Sequence, residues 1–481
     1  MPALKHIEVQ LSEQAQKSKT AAQLIKTVQD LWYDRGVELI IFKNPIIDKS
    51  VAEVLDLHYY TDAFLDKPIN IVESLKIAEA LLRMETPPAK IDLGRLTHEY
   101  QIESQDFEDI DDFLVFKLMK IEYHSRITPK DVVLYGFGRI GRLLARELMT
   151  KTGNGNQLRL RAIVTRGEIT DEIIDKRLSL LKNDSIHGIF HGTVVPDYEN
   201  KALIVNGTTV HLISASQPDD IDYSTYGISD ALVLDNTGAF RDKEALSRHL
   251  KANGISKVLL TAPGKGIPNI VHGVNQNDYD LDEQDIYSAA SCTTNAITPI
   301  LKAIEDTFGI ENGHLETIHA YTNDQNLVDN MHSKYRRGRA AAINMVITET
   351  GAGKAVAKAL PQLEGKLTSN AIRVPVPNGS LAILKLNLKS DVSVESINTC
   401  IKTYALEGDL VEQIKYSINN ELVSSDIVGC SAPSIFDSKA TISEHPKSCI
   451  LYVWYDNEYG YSHQVIRLAK HIARVRRFTY Y

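Results

Sequence analysis

DVVLYGFGRIGRLLARELM, residues Asp131 to Met149, decides the fold. DVVLYG is an apolar β-type run, after which Gly136, Gly138 and Gly141 stand in G-x-G-x-x-G spacing and Leu143, Leu144 and Leu148 fall on one helical face. On its own the glycine pattern is weak. Between a strand and a helix it has mechanical meaning, because the glycines let backbone approach a pyrophosphate whose charge the helix N-terminus stabilises. The stretch predicts a Rossmann-type dinucleotide-binding domain.

The alternation continues through LRLRAIV from Leu158, ALVLDN from Ala231 and KVLLTA from Lys257, separated by helical segments. This is the pattern of a parallel α/β sheet. A carboxylate is expected at the end of the Leu158–Val164 run if the cofactor carries a free ribose 2′-hydroxyl. Thr165 and Arg166 stand there instead, a hydroxyl and a guanidinium that suit a 2′-phosphate, so the expected cofactor is NAD or NADP.

SAASCTTNAITPILKAIEDTFG, residues 288–309, reads as strand, turn and helix. Thr293, Thr294 and Asn295 supply N-cap chemistry, and Ile297, Ile300, Leu301, Ile304 and Phe308 share a face. Cys292 thus sits at a helix mouth, where unpaired N–H groups favour an anion and the thiol is expected to ionise more readily than a free one. Beyond it the strands lengthen and alternate, as in LAILKLNLKS, which predicts an α+β domain with a mixed or antiparallel sheet. The last helix, from about His463, carries Val465, Ile466, Leu468 and Ile472.

Before Asp131 the texture is different. Leu24, Ile25, Val28, Leu31 and Trp32 make one amphipathic face; Ile47, Val51, Val54, Leu55 and His58 a second; Val72, Leu75 and Leu82 a third. Pro87 and Pro88 interrupt the pattern, and an acidic stretch from Glu103 to Asp112 carries Phe107 and Ile110. The division expected is an all-helical extension over 1–130, the dinucleotide domain over 131–291, a catalytic domain over 292–456, and a C-terminal helix over 457–481 that returns to the nucleotide domain.

At 481 residues the chain is too long for one ordinary core, and 43% apolar with 24% charged residues is a soluble globular composition. A net charge of −9 argues against a general nucleic-acid surface. The first thirty residues lack a continuous apolar core, and no span is long enough to cross a bilayer, so no membrane association is expected. The four cysteines, Cys292, Cys400, Cys430 and Cys449, show neither C-x-x-C metal spacing nor a disulfide pattern. No metal site and a cytoplasmic location are the expectations.

With GFGRIGR, SCTTN and WYDNEYGYS (454–462), the chain resembles the phosphorylating glyceraldehyde-3-phosphate dehydrogenases over roughly residues 131–481. DSIHGIFHG at Asp184, NTGAF at Asn236, TAPGKG at Thr261, TETGAGKAV at Thr348 and GKLTSNAIRVP at Gly365 follow in the same order. The resemblance implies Cys292 as nucleophile and His319, in ETIHAYTND, as base. It implies Ser291, Thr293, Thr350 and Gly351 for the attacking inorganic phosphate, and Thr322 and Arg373, with Arg336 as helper, for the substrate phosphate.

For the cofactor the same resemblance implies the backbone of Arg139 and Ile140, the Thr237 and Gly238 segment, and Asn457 at the nicotinamide carboxamide. Its further implications are glyceraldehyde 3-phosphate and inorganic phosphate as substrates, and a homotetramer. Erythrose-4-phosphate dehydrogenase, or a low-activity regulatory protein on the same fold, are the alternatives. Three positions depart from the family pattern: Tyr135 replaces the usual asparagine, Thr165 the usual acidic residue, and Asp324 a frequent threonine. A carboxylate at 324 repels a bound phosphate unless a basic residue pairs with it.

Overall fold

The structure, a computed structural model, describes residues 2–61, 65, 67–84, 86–119 and 127–480, with side chains from residue 7 on. The chain divides into two compact units. One comprises Met1–Thr128, Thr152–Gln157 and Val475–Tyr481; the other comprises Pro129–Lys151 and Leu158–Arg474.

The first unit holds helix α1 (Pro2–Asp30), strands β1 (Glu38–Ile41) and β2 (Asn44–Pro45), helices α2 (Val51–Tyr60) and α3 (Ile71–Arg83), strand β3 (Ala89–Asp92), and helices α4 (Leu93–Glu103) and α5 (Ile110–Leu118). Side-chain caps start the helices where the sequence offers them: Ser50 and Glu53 form a reciprocal capping box on α2, and Asn70, Asp92 and Asp109 cap α3, α4 and α5. Leu24, Val28, Leu31 and Trp32 pack with Val54, Leu55, Leu75, Ile77, Leu81 and Phe113 in one core. Val72, expected on the buried face of α3, is exposed instead, because Ile71, Leu75 and Ala78 take that face.

The extension is helical, but not wholly so. β3 lies parallel to β1, β2 pairs antiparallel with β1, and a C-terminal strand, Phe478–Tyr480, runs parallel along β3. The four residues of β1 are all buried, so they show no alternation to read, and the fourth strand comes from the opposite end of the sequence. The Arg477 guanidinium stacks over Trp32 at 4.6 Å, and the Tyr480 hydroxyl donates to Glu99. Phe478 and Tyr480 also pack against the core. Deleting residues 478–481 is expected to destabilise this unit by about 2–4 kcal/mol through lost apolar burial and ladder bonds, read as an earlier unfolding transition in calorimetry.

In the second unit, β4 (Lys130–Tyr135), α6 (Arg139–Thr150), β5 (Leu158–Thr165), α7 (Asp171–Lys182), the short pair β6 (Asn183–Asp184) and β7 (Gly188–Ile189), β8 (Val194–Asp197), β9 (Ala202–Val205), β10 (Thr208–Ser214), β11 (Ala231–Asp235), α8 (Lys243–Ser247), β12 (Ile255–Leu260) and β13 (Ile286–Ser288) make the Rossmann domain. Its sheet runs β13-β12-β11-β4-β5-β10-β9-β8, parallel from β13 to β10 and antiparallel at the β10, β9 and β8 edge. The strand order reverses at β4, flanked by β11 and β5, and a crevice at the carboxyl ends of strands at such a point is where α/β sheets bind ligands.

The catalytic half begins with α9 (Cys292–Phe308) and β14 (Ile310–Ala320), then β15 (Val346–Thr348), α10 (Ala352–Ala359), β16 (Leu367–Val374), β17 (Ser380–Leu388), α11 (Val394–Leu406), β18 (Ile414–Ser417), β19 (Ser434–Asp437), β20 (Ile442–His445), β21 (Ser448–Tyr455) and α12 (Tyr459–Ile472). The sheet order is β15-β16-β14-β17-β21-β19-β18, mixed as expected: β14 is parallel to β16 and antiparallel to β17. Ile297, Ile300, Leu301 and Ile304 of α9 bury against Leu384, Leu386, Leu451 and Val453 of this sheet. α12 packs against α6. No helix among the described residues is long and apolar enough to cross a membrane.

Candidate active site

Cys292 is the first residue of α9, capped by the Ser291 hydroxyl, which accepts from the Thr294 N–H at 3.0 Å. Two residues earlier, Ala290 is held in the left-handed region at φ +55, a conformation costing an L-residue of order 1 kcal/mol or more. Its turn is pinned from three sides. Tyr461 of α12 donates its hydroxyl to the Ala290 carbonyl at 2.8 Å, Asn295 Nδ2 donates to Ala289 O at 2.7 Å, and Gln464 Nε2 donates to Asn295 Oδ1 at 3.2 Å. The half-buried sulfur is thereby aimed by buried polar contacts.

His319 lies at the end of β14, and its Nε2 is 3.6 Å from Cys292 Sγ. The parallel register of β14 on β16 sets His319 beside Arg373. Arg373 Nη1 is 2.8 Å from His319 Nδ1 and donates to Ala320 O at 2.8 Å, while Nδ1 is 2.7 Å from the same carbonyl. Tyr455 completes the cluster, its ring 5.9 Å from the imidazole and its hydroxyl 3.0 and 2.7 Å from the hydroxyls of Thr293 and Thr317.

The electrostatics differ from the sequence expectation of a readily ionised thiol. Burial pushes the Cys292 thiol up, and Arg373, the Thr293 hydroxyl and the first N–H groups of α9 oppose that rise without overcoming it. Burial and the Arg373 charge hold His319 far down, at about 3. Each lone charge is penalised. Proton transfer from sulfur to the imidazole leaves the pair with no net charge, so it is the ionisation that burial opposes least, and before it His319 is a neutral base.

At the crevice end, Gly136 has φ +104, and a side chain on Gly141 would meet the Gly136 carbonyl at 2.5 Å. Around the Cβ position of Gly138 there is open space. Glycine is therefore required at two positions by the protein's own backbone, and among the described residues no atom lies within 4 Å of the Cβ position of Gly138, at the N-terminus of α6 where a pyrophosphate would bind. The guanidinium of Arg139 is held by both oxygens of Glu458, at 2.5 Å each, so its charge is spent within the protein. Buried Asp235 accepts from Thr237 N and Oγ1 at 2.9 and 2.7 Å and pairs with buried His249 at 3.1 Å, which fixes the Thr237 and Gly238 turn.

Asn457 is buried, and its Oδ1 accepts from Gly379 N at 3.2 Å and Ser380 Oγ at 2.8 Å, so Nδ2 is the group that remains to donate to a carboxamide. Asn236 Oδ1 is buried with no hydrogen-bond partner among the described residues. The residues present fit a nicotinamide dinucleotide.

The model described as "Glyceraldehyde 3-phosphate dehydrogenase, NAD binding domain" matches residues 130–243, and that described as "Glyceraldehyde 3-phosphate dehydrogenase, C-terminal domain" matches residues 291–457. The chain belongs to the glyceraldehyde 3-phosphate dehydrogenase family. It is 47% identical over 458 residues to the glyceraldehyde-3-phosphate dehydrogenase-like protein of Pseudomonas aeruginosa (strain UCBPP-PA14), covering 94% of this chain and 98% of that protein. Against glyceraldehyde-3-phosphate dehydrogenase of Priestia megaterium it is 40% identical over 339 residues, 70% of this chain and 96% of the relative. Against glyceraldehyde-3-phosphate dehydrogenase 1 of Bacillus subtilis it is 39% identical over 344 residues, 71% and 98%. The Pseudomonas alignment is longer than the 351 residues after Lys130, so it extends into the helical extension.

As a member of this family the chain is an oxidoreductase with a NAD-binding domain. Its departures from the family pattern have structural answers. Asp324 pairs with Arg337, which also donates to Thr348 Oγ1 at 3.0 Å, and His332 approaches Asp324 at 3.7 Å, so the carboxylate is neutralised and held below the usual range, Arg337 opposing the desolvation. The arginine turned inward is thus Arg337; its charge reaches both His319 and Arg373. Arg336, expected as the helper, is exposed, and its Nη1 lies 3.5 Å from the Ile347 carbonyl. Alternating neighbours in Tyr335–Arg337 are indistinguishable by composition.

Tyr135 is buried edge-on against His249, with ring centroids 4.7 Å apart, and desolvation beside Asp235 pushes its hydroxyl up to about 12. Thr165 ends β5, and exposed Arg166 follows it, close enough for its charge to act on Tyr135. Thr350 Oγ1 accepts from Ala352 N at 3.3 Å, and Gly351 is the N-cap residue of α10. Thr322 follows β14, its carbonyl accepting from Gln325 N at 2.9 Å. Tyr455, Tyr461 and Gln464 escaped the sequence reading. Their signal was the i, i+3 pairing of Tyr461 with Gln464 on one face of α12, which reads equally well as core.

Proposed function

We propose that the protein catalyses the reversible phosphorylating oxidation of glyceraldehyde 3-phosphate to 1,3-bisphosphoglycerate with NAD or NADP. The observation that carries this reading is the Cys292 sulfur 3.6 Å from an unprotonated His319, with Arg373 alongside. In this reading sulfur attacks the aldehyde carbon as its proton passes by way of His319 to the former carbonyl oxygen, giving a thiohemiacetal and leaving His319 neutral again. His319 then takes the hydroxyl proton as the carbon is oxidised to a thioester. A bound nicotinamide dinucleotide, held by the α6 N-terminus, the Thr237 and Gly238 turn and Asn457, supplies the hydride acceptor. Inorganic phosphate, received by Ser291, Thr293, Thr350 and Gly351, attacks the thioester carbonyl, and the Cys292 sulfur leaves. Thr322 and Arg373, assisted by Arg337 rather than Arg336, hold the substrate phosphate, since a guanidinium fork suits phosphate geometry.

Turnover that requires both inorganic phosphate and the triose phosphate supports this function; equal rates without phosphate, or a preference for erythrose 4-phosphate, would overturn it. NADP use is carried in this reading by Arg166, exposed directly after Thr165, the position where the family has a carboxylate. Arg166→Ala is expected to raise the KM for NADP about tenfold, the loss of one charge-assisted contact, and to leave that for NAD within a factor of two or so. Steady-state kinetics with both dinucleotides checks it. The cytoplasmic homotetramer remains part of the same proposal, tested by light scattering on the full chain.

A further inference from the structure

Ser380 opens β17 and is buried, with 1% of its surface exposed. β17 runs antiparallel to both β14 and β21, and its register sets Leu381 opposite Ile318 and Ser380 opposite Tyr455. One serine therefore lies between the end of β14, which carries His319, and the turn after β21, which carries Asn457. Its hydroxyl touches both. The Ala320 N–H donates to Ser380 Oγ at 3.1 Å, and Ser380 Oγ is 2.8 Å from Asn457 Oδ1. These contacts fix which way round the Asn457 amide lies. A backbone N–H only donates, so the Asn457 atom 3.2 Å from Gly379 N is the carbonyl oxygen. By the same rule Ser380 Oγ accepts from Ala320, and its one proton goes to Asn457 Oδ1. Turning the amide over would set Nδ2 against the Gly379 N–H, donor to donor, and would deprive the buried hydroxyl proton of this acceptor. Gly379 has φ +93, and a Cβ there would meet Ser424 O at 2.6 Å, so the peptide that supplies the second donor is itself held by its conformation and packing.

We infer that Ser380 is a positioning residue for Asn457, holding the amide so that a donor, not an acceptor, is offered to the carboxamide oxygen of a nicotinamide, and tying that amide to the peptide directly after His319. This inference rests on the reading that Asn457 receives the carboxamide. The contribution of Ser380 to dinucleotide affinity is then confined to the carboxamide. It is absent for a ring that has none.

The experiment measures, by titration calorimetry on the full-length protein, the dissociation constants of NAD and of an adenine dinucleotide whose pyridinium ring lacks the carboxamide. Their ratio is the preference for the carboxamide, and Asn457→Ala should remove most of it. Ser380→Ala is expected to lower the preference about fivefold, the scale of one hydrogen bond, and to leave the affinity for the ring without a carboxamide within about twofold. Ser380→Thr, which keeps the hydroxyl, should hold the wild-type ratio. If Ser380→Ala does not fold, Ser380→Cys, a weaker donor, takes its place with the same direction of change. An undiminished preference in folded Ser380→Ala, equal weakening of both dinucleotides, or a fall in Ser380→Thr as large as in Ser380→Ala overturns the inference. A preference that survives Asn457→Ala instead overturns the reading of Asn457 as the partner of the carboxamide.

Discussion

Cys292→Ser is expected to lower turnover about 10⁴-fold or more, the scale of loss when the nucleophile of a concerted catalytic group is removed. Dinucleotide affinity should stay within about twofold, because the α6 N-terminus, the Thr237 turn and Asn457 are untouched. The size of the effect follows from chemistry. A hydroxyl in the same setting is far less acidic than a thiol, and the surroundings that already push the Cys292 thiol up leave serine with no accessible anion. The turn that aims residue 292, with Ala290 at φ +55 bonded to Tyr461, does not depend on sulfur, so the variant folds and the loss is chemical. Initial rates and dinucleotide titrations on wild type and variant separate the two quantities.

His319→Asn is expected to cost about 10²–10⁴-fold in turnover, the range for loss of a positioned general base, and to change the pH profile as well. In the wild type burial holds the imidazole at about 3, so it remains unprotonated as pH falls through the range where an ordinary histidine titrates near 6.5. The acid limb of kcat/KM should therefore lie well below that value. In the alkaline direction the raised thiol governs: the thiolate fraction grows with pH, and alkylation of Cys292 by iodoacetamide should climb through the alkaline range. In the asparagine variant residual turnover should rise with pH as hydroxide substitutes for the missing base. A wild-type acid limb centred near 6.5 would contradict the buried neutral histidine.

How much of this was legible beforehand depends on the range over which each feature is encoded. The Rossmann β4 and α6 junction is local: strand, three glycines and an amphipathic helix lie within nineteen residues, Asp131 to Met149. Cys292 at the mouth of α9 is equally local, through its Ser291 cap and apolar face. The sheet of the extension was not legible, because β1 is buried throughout and one of its companions arrives from residues 478–480. The choice between Arg336 and Arg337 depends on which side chain turns toward Asp324 and Thr348, a matter of loop path.

The burial that acts on the sulfur was not legible for a related reason. A helix N-terminus is visible in sequence, whereas the burial that outweighs it, and the Arg373 charge that opposes burial, are set by residues far apart in the chain. The same distance hid the β14 and β16 register, which sets His319 beside Arg373 and gives the site its electrostatic character.

The central claim, that Cys292 carries the acyl group, is tested most directly by mass spectrometry of intact and digested protein quenched after mixing with glyceraldehyde 3-phosphate and NAD in phosphate-free buffer. The expected result is a stoichiometric 3-phosphoglyceroyl adduct on the peptide containing Cys292, discharged when inorganic phosphate is added. Unmodified Cys292 under conditions where the dinucleotide is reduced would contradict the account.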